Sequence, residues 1–204
     1  MSFKDIFNID AEVKESAHAR VNLIGEHTDY TGGYVMPTLL SFKNTIEISQ
    51  NNSNEFTVYS QHFKEKKTFN DFKKSINNEW VDYIKGCLHI FFDENKISSR
   101  FLNIFISSDI PLERGISSSS ALCVATLKAL NTFFETKIKD PEIAKLAKKV
   151  EFNYIGVSGG IMDQMVSSIG IHGKAFFMNC KNLEYELINF PENWKFCLID
   201  SEVQ

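Results

Sequence analysis

The sequence predicts an α+β fold, because strand-like and helix-like patterns occur in separate segments of one chain. Apolar and polar residues alternate in Thr45–Ser49, Phe56–Ser60 and Leu102–Ser107, which is typical of half-buried strands. Between Glu79 and Asp93, apolar residues recur at helical spacing instead. With 204 residues, of which 43% are hydrophobic, the chain is long enough for one large domain, or a domain and a half, around a substantial core.

The first third of the chain is predicted to be mostly strand. Residues 1–16 mix charged residues with spaced Phe and Ile and predict a short helix. The strands expected after it are Val21–Ile24, Tyr34–Leu40, Thr45–Ser49 and Phe56–Ser60. The polar turn Gln50–Asn54 indicates that the last two strands are antiparallel neighbours. Lys64–Lys67 is predicted to be a solvated charged patch with no special role.

Three helices are predicted in the middle of the chain. The first, Glu79–Asp93, has one core-facing stripe, whose aromatic residues we interpret as core rather than as a ligand site. That stripe consists of Trp80, Tyr83, Ile84, Cys87, Leu88 and Phe91. The second helix, from about Ser119 to Phe134, is apolar nearly all round in its first half and is expected to be buried. The third begins with Asp140 as N-cap, has Pro141 at its first position and continues to about Tyr154.

The rest of the chain predicts late strands, and the composition excludes several classes of function. The late strands are Ala175–Met178, Tyr185–Ile188 and Phe196–Ile199. The net charge is −4 and the 22 basic residues are scattered, so nucleic acid is not expected as a partner. The N-terminus lacks the apolar core of a secretory signal, and no run reaches the ~18 apolar residues of a membrane span. A cytoplasmic protein without a membrane partner is therefore expected.

The cysteines indicate the same compartment. Cys87, Cys123, Cys180 and Cys197 are too far apart in sequence for a zinc-ligand pattern. They are interpreted as small buried apolar residues of a reducing compartment.

The stretch from Arg20 to Pro37 concentrates groups that suit a ligand rich in hydroxyls. An apolar run ends at Gly25, and two carboxylates, an imidazole and two hydroxyls follow before the Gly32–Gly33 pair. Such groups are costly to bury without partners, and the hydroxyls of a sugar both donate and accept. The alternative from spacing alone is a polar turn between two strands, since loops collect these residue types.

This stretch closely resembles the galactokinase signature, in which Arg-Val-Asn-Leu-Ile-Gly-Glu-His-Thr-Asp-Tyr is followed by a glycine pair. The resemblance implies that the segment Glu26, His27, Thr28 and Asp29 binds the hydroxyls of galactose. It also implies that Arg20 lies near the reacting centre and helps to stabilise the transition state.

The resemblance has one departure just before the arginine. The family usually has Pro-Gly at this point, and this chain has His18 and Ala19. If the backbone there needs a positive φ, Ala19 is strained by about 1 kcal/mol or more.

A second stretch, Pro111 to Ala121, connects a predicted strand to the buried helix. Its four consecutive serines place hydroxyl and backbone donors at a helix N-terminus, which is a favourable place for phosphate. A helix start with more capping residues than it needs is the alternative, because serine is a favoured N-cap. The stretch is not a Walker A loop, since no Gly-Lys-Ser/Thr occurs near it.

This second stretch resembles a motif of the small-molecule kinases that include galactokinase, mevalonate kinase and homoserine kinase, usually Pro-x-Gly-x-Gly-Leu-Ser-Ser-Ser-Ala. The resemblance implies an ATP-binding segment, in which Ser119 also holds Mg²⁺. The segment consists of Glu113, Arg114, Gly115, Ile116, Ser117, Ser118 and Ser119. Glu113 replaces the first glycine of the motif, where a carboxylate repels polyphosphate, and Arg114 can compensate by pairing with phosphate.

A third stretch, Glu151 to Gln164, resembles the galactokinase segment that runs from a helix-end Glu to Gly-Ile-Met-Asp-Gln. The resemblance implies that Asp163 is the catalytic base for the sugar hydroxyl and that Glu151 is the second Mg²⁺ ligand. Gly159 and Gly160 are expected to let the chain turn tightly before it. Taken singly, Glu151 would be a solvated helix charge and Asp163 an N-cap, so only the three motifs together support the functional interpretation.

Together the three resemblances imply a sugar kinase that transfers phosphate from ATP to the anomeric hydroxyl of galactose with Mg²⁺. They imply the fold of the first domain of the GHMP kinases, a mixed sheet packed with helices (ribosomal protein S5 domain 2-like). Residues 1–204 match the N-terminal half of that family alone. The alternatives are a non-catalytic truncated homologue, a sugar-binding half of a split protein that needs a separate C-terminal half, and another kinase of the superfamily. Uncovered apolar surface is expected near residues 180–204, where it would favour self-association.

Overall fold

The structure is a computed structural model that describes residues 1–76, 78–111 and 115–199. It has a mixed eight-stranded sheet with helices packed against it, so the predicted fold class is confirmed. The strands are β1 (Val13–Asn22), β2 (Tyr34–Val35), β3 (Pro37–Gln50), β4 (Phe56–Ser60), β5 (Glu65–Phe69), β6 (Leu102–Ser108), β7 (Lys174–Asn179) and β8 (Tyr185–Asn189). The helices are α1 (Phe3–Phe7), α2 (Trp80–Asn95), α3 (Ser118–Phe133), α4 (Asp140–Lys149), a π-helix (Val150–Ile155) and α5 (Met162–Ile169).

Strand β3 organises the sheet, because it is hydrogen-bonded to β1, β6 and β7. The predicted antiparallel pairing of Thr45–Ser49 with Phe56–Ser60 is wrong, since β6 lies between the two strands and pairs with both. β4 and β6 are parallel, and α2 is part of the connection between them. Parallel neighbours require such a crossover, which a turn prediction cannot anticipate.

Most of the core lies between one face of the sheet and the helices. Ile104 and Ile106 of β6 point into it, together with Ile46 and Ile48 of β3. Phe105, which lies between the two isoleucines of β6, points to the opposite face and packs with Phe3 of α1 and Tyr59 of β4, because successive strand residues alternate in direction. None of the helices in the described ranges is both long and apolar enough to cross a membrane.

The segment predicted as one helix from Asp140 to Tyr154 consists of two parts. Asp140 is the first residue of α4 and Lys139 is the N-cap, so the predicted cap is wrong by one position. α4 ends at Lys149 and the π-helix follows directly. π-helical turns are rare and often occur at functional sites. Here the wider turn carries Glu151.

Three other local predictions differ from the structure. Lys64–Lys67 is predicted to be a solvated charged patch with no special role, but Glu65–Phe69 is a strand, and Lys67 pairs with Glu65 at 2.9 Å. Phe196–Ile199 has no regular secondary structure, and its apolar side chains are exposed. Of the four cysteines, Cys87 and Cys123 are buried as expected, whereas Cys180 is partly exposed and Cys197 is exposed.

Candidate active site

Arg20 and Asp163 form a bidentate ion pair at the centre of the site. Arg20 Nε donates to Asp163 Oδ1 at 2.7 Å and Nη2 donates to Oδ2 at 2.9 Å. The remaining terminal nitrogen of Arg20, Nη1, donates to the carbonyl of Gly115 at 2.8 Å. Ser117 Oγ donates to Asp163 Oδ2 at 2.5 Å. One arginine thus joins the first motif to the second and the third.

An irregularity in β1 places Arg20 next to residues 115–119, which we call the serine segment. The register between β1 and β3 shifts between His18 and Arg20. Arg20 donates its backbone N–H to the carbonyl of Ile116 at 3.2 Å, which ties β1 to the start of α3. Ala19 is fully buried and is not among the described residues with positive φ, so the strain considered for it does not occur. Bulges of this kind are common beside active sites because they redirect a side chain.

The serine segment begins α3 without capping it through a side chain. Ser117 is the N-cap residue and has a φ of 63°, in the left-handed region that non-glycine residues rarely adopt. Its hydroxyl bonds to Asp163 rather than to the helix N-terminus. The alternative that the serines serve only as caps is therefore not what the geometry supports. Gly115 also has a positive φ, 67°.

Glu151 is a buried carboxylate that accepts hydrogen bonds at both of its oxygens. Ser119 Oγ donates to Oε1 at 2.8 Å and Ser120 Oγ donates to Oε2 at 2.9 Å. The side-chain amide of Gln164 also donates to Oε2. A buried charge needs such partners, so Glu151 is not the solvated helix charge that its sequence position suggested.

Two cavities meet at Ser119 and Asp163, which line both. The larger one has a volume of about 570 Å³. Its polar lining is formed by Arg20, Asp163 and the serines Ser117, Ser118 and Ser119. Its apolar and aromatic lining consists of Phe63, Trp80, Tyr83, Pro111, Ile116 and Leu122.

The aromatic residues of α2 are divided between this cavity and the core. Trp80 stacks on Phe63 with ring centroids 5.7 Å apart, and both line the larger cavity with Tyr83. Ile84, Cys87, Leu88 and Phe91 are fully buried, as predicted. The interpretation of Trp80 and Tyr83 as core residues therefore holds only in part. The pKa of the Tyr83 phenol is raised above its ordinary value, mainly because the phenol is partly buried.

The smaller cavity, of about 170 Å³, is lined mostly by polar and charged residues. Asp29, Glu151 and Asp163 line it together with Lys148. Lys148 Nζ donates to the carbonyl of Gly159 at 2.5 Å. Gly160 lies directly against Asp29: a Cβ on Gly160 would come within 2.1 Å of Asp29 Oδ2. Neither glycine is among the residues with positive φ, so Gly160 is needed for close approach and not for a tight turn.

Only part of the predicted sugar segment lies in this cavity. Asp29 lines it, whereas Glu26 and His27 are exposed and line neither cavity. The hydroxyl of Thr28 is used within the loop, where it bonds to the carbonyls of Gly25 at 2.8 Å and Tyr34 at 2.7 Å. Partial burial and the charge of Asp29 raise the pKa of the nearby Cys180 thiol to about 11.

Ser119 and Glu151 fit a divalent cation that also binds phosphate. Their hydroxyl and carboxylate oxygens lie 2.8 Å apart at the cavity wall, and Mg²⁺ prefers a few such hard oxygens together with water. The described part of the chain contains no group of three or more His, Cys, Asp and Glu side chains that could hold a metal. Glu113 and Arg114 lie outside the described residues.

Two family models match the segments that form this site. Residues 1–50 match the galactokinase galactose-binding signature, and residues 82–170 match the N-terminal domain of GHMP kinases. The galactokinase of Pyrococcus furiosus is 38% identical over 184 residues, which is 90% of this chain and 51% of that protein. The chain belongs to the galactokinase family of the GHMP kinases. It spans about half the length of the curated galactokinases that it matches.

Solved structures give the same assignment. The galactokinase of Lactococcus lactis, solved in complex with galactose, superimposes with a TM-score of 0.84 at 28% identity. The match covers 98% of this chain and 55% of that galactokinase. A mevalonate kinase from Methanococcus jannaschii matches with a TM-score of 0.73 at 23% identity, which supports the shared fold alone.

Within this galactokinase-family chain, the structure brings together Arg20, Asp29, Ser117, Ser119, Glu151 and Asp163. Ser118 and Ile116 line the larger cavity with Gly115. Sequence reasoning missed Ser120, Gln164 and Lys148, which line the smaller cavity. A signal for Ser120 was present in the sequence: the usual motif has three serines, and this chain has a fourth at position 120.

Proposed function

We propose that this chain carries the phosphoryl-transfer site of a galactokinase, which transfers the γ-phosphate of ATP to the anomeric hydroxyl of galactose. The observation that carries the proposal is that Ser119 and Asp163 line both the smaller and the larger cavity. A reaction between a sugar and a nucleotide requires two adjoining sites with a reactive group between them. Residues 1–204 are, in this proposal, the N-terminal catalytic domain.

The smaller cavity supplies the sugar site. Asp29 and Asp163 are the carboxylates that would accept hydrogen bonds from sugar hydroxyls there. The similarity to a galactokinase solved with galactose supports galactose as the acceptor. Glu26 and His27, at the exposed end of the same loop, would reach the sugar only if it extends beyond the cavity or the loop closes over it.

Asp163 is proposed to orient the sugar hydroxyl and take its proton. Oδ1 accepts one hydrogen bond from a described residue and Oδ2 accepts two, so Oδ1 has the greater remaining capacity to accept a hydroxyl. Phosphoryl transfer through a loose transition state depends mostly on positioning and charge stabilisation. Arg20 also neutralises negative charge where the phosphoryl group would pass.

The larger cavity supplies the nucleotide site. The N-terminus of α3 offers backbone N–H groups and the hydroxyl of Ser118 to a phosphate, whereas the hydroxyls of Ser117 and Ser119 donate to Asp163 and Glu151. The stacked Phe63 and Trp80 give an apolar surface suited to a purine base. Ser119 and Glu151 would hold Mg²⁺, which neutralises charge on the phosphate oxygens when it is bound.

Calorimetry and a turnover assay on this chain test the proposal. We expect the chain to bind galactose and ATP with Mg²⁺ and to release ADP only when galactose is present. Binding of galactose without turnover would favour the alternative of a sugar-binding half. Absence of binding to both galactose and ATP would contradict the proposal. A panel of other sugars and of mevalonate as acceptors distinguishes galactose from the substrates of related kinases.

A further inference from the structure

Four buried or half-buried side chains that all line the smaller cavity form a hydrogen-bonded cluster: Ser119, Ser120, Glu151 and Gln164. Ser120, Glu151 and Gln164 are 3%, 5% and 4% exposed, respectively. The amide of Gln164 also donates to Ser120 Oγ at 3.3 Å. The cluster therefore connects the start of α3, the π-helix and α5 through side chains alone.

The two oxygens of Glu151 have different surroundings. Oε1 is bonded to Ser119, which lines both cavities. Oε2 is bonded to Ser120 and Gln164, which line only the smaller cavity and are almost fully buried. A carboxylate held at one oxygen cannot rotate freely about its last torsion. Its other oxygen then stays beside the hydroxyl of Ser119.

We propose that Ser120 and Gln164 are positioning residues that hold Oε2 of Glu151, so that Oε1 and the hydroxyl of Ser119 are presented together to a divalent cation. This inference rests on the proposed function, which assigns the cation to Ser119 and Glu151. Groups that bond to a metal ligand typically change metal affinity by about 10- to 100-fold when they are removed. The hydroxyl of Ser120 is one such group and the amide of Gln164 is the other.

Satisfying a buried charge is the simpler explanation of the cluster, and the two explanations differ in what they predict. Both predict lower stability when a donor is lost, because Glu151 then keeps an unmet acceptor. Only positioning predicts a specific loss of cation affinity in a folded protein. The variant Ser120→Ala is well suited to the comparison, since alanine is the residue that the usual form of the motif has at this position.

The experiment measures how much Mn²⁺, used in place of Mg²⁺, strengthens the binding of a non-hydrolysable ATP analogue. Calorimetry on the wild-type chain, Ser120→Ala and Gln164→Leu is done with and without Mn²⁺, and thermal unfolding checks that each variant is folded. Ser168→Ala is the matched control, because Ser168 is a buried serine of α5 that bonds to the carbonyl of Asp140 and lines neither cavity.

Mn²⁺ strengthens binding of the analogue by a certain factor in the wild-type chain. We expect Ser120→Ala to lower this factor about tenfold and Gln164→Leu to lower it at least as much. Affinity for the metal-free analogue is expected to stay within twofold, and Ser168→Ala should behave as the wild type. If folded Ser120→Ala and Gln164→Leu both retain the wild-type enhancement, the positioning role is wrong while the cation site stands. If Mn²⁺ does not strengthen binding to the wild-type chain, the cation site itself is contradicted and this inference with it.

Discussion

Arg20 and Asp163, 143 positions apart in sequence, share two parallel hydrogen bonds of 2.7 and 2.9 Å. Side-chain exposure at this pair is 14% for Arg20 and 25% for Asp163, so the pair is largely protected from water but still open to a ligand. Bidentate arginine–carboxylate pairs are stronger and more directional than single contacts. This pair fixes the carboxylate where the two cavities meet.

Replacing Asp163 by asparagine should abolish most turnover while leaving the fold intact. The amide keeps the size of the side chain but cannot take a proton from a sugar hydroxyl, and loss of such a group typically costs about 10²- to 10⁴-fold in rate. ADP release measures the rate, and calorimetry with ATP checks that the nucleotide still binds. Asp10→Asn, which changes an exposed carboxylate paired with Lys4, is the control and should keep wild-type turnover.

Arg20→Lys should lower turnover about a hundredfold even though the charge is kept. A lysine ammonium donates from one nitrogen atom and cannot bond to both oxygens of Asp163 and to the Gly115 carbonyl in the same planar arrangement. Turnover of Arg20→Lys close to that of the wild type would mean that charge alone matters here and that the bidentate geometry does not.

Gly160→Ala should weaken galactose binding about 10- to 100-fold, because its Cβ would displace Asp29 from the smaller cavity. Gly159→Ala is the matched comparison, since the nearest atom to its Cβ would be Lys148 Nζ at 4.0 Å. Calorimetry with galactose should therefore show a much smaller loss for Gly159→Ala. Equal affinities in the two variants would argue against Asp29 as a sugar ligand.

Gly86→Ala should destabilise the protein, although the same change in a helix interior usually stabilises by roughly 0.5–1 kcal/mol. A Cβ on Gly86 would lie 2.8 Å from Tyr154 and 2.9 Å from Val150, both in the π-helix. Overpacking of this kind costs about 1–3 kcal/mol. Urea unfolding gives the sign of the change, and a more stable variant would show that α2 and the π-helix are not packed this closely.

Tyr154 should make stability depend on pH in the alkaline range. Burial, followed by the charges of Asp82 and Asp71, raises the pKa of Tyr154 from 10.0 to about 12 in the folded protein. The fold favours the neutral phenol, so this contribution is complete below pH 10.0 and is lost as the pH rises from there towards about 12. Tyr154 also donates a hydrogen bond to the carbonyl of Phe72.

The comparison of wild type with Tyr154→Phe isolates this effect from other titrating groups. Urea unfolding at several pH values above about 9 gives the difference in stability between the two proteins, which should shrink as the phenol ionises. A difference that is constant over this range would mean that the pKa of Tyr154 is not raised.

Much of the fold could be predicted from sequence because helices and strands follow from local spacing. α2 was predicted as Glu79–Asp93 and spans Trp80–Asn95; β6 was predicted as Leu102–Ser107 and spans Leu102–Ser108. Strand neighbours could not be predicted in the same way. The insertion of β6 between β3 and β4 depends on the crossover through α2, which no local pattern records.

The sequence by itself determined the family and the residue types of the candidate site. Each motif is continuous in the chain, so its functional groups can be recognised within a few residues. Only the tertiary structure decided which of them meet: Asp29 joins Asp163 in one cavity while Glu26 and His27 stay outside, and Ser120 and Gln164 bond to Glu151. The physical reason is that these contacts are made between α3, the π-helix and α5. Their relative positions are set by core packing over long sequence distances, which single motifs do not encode.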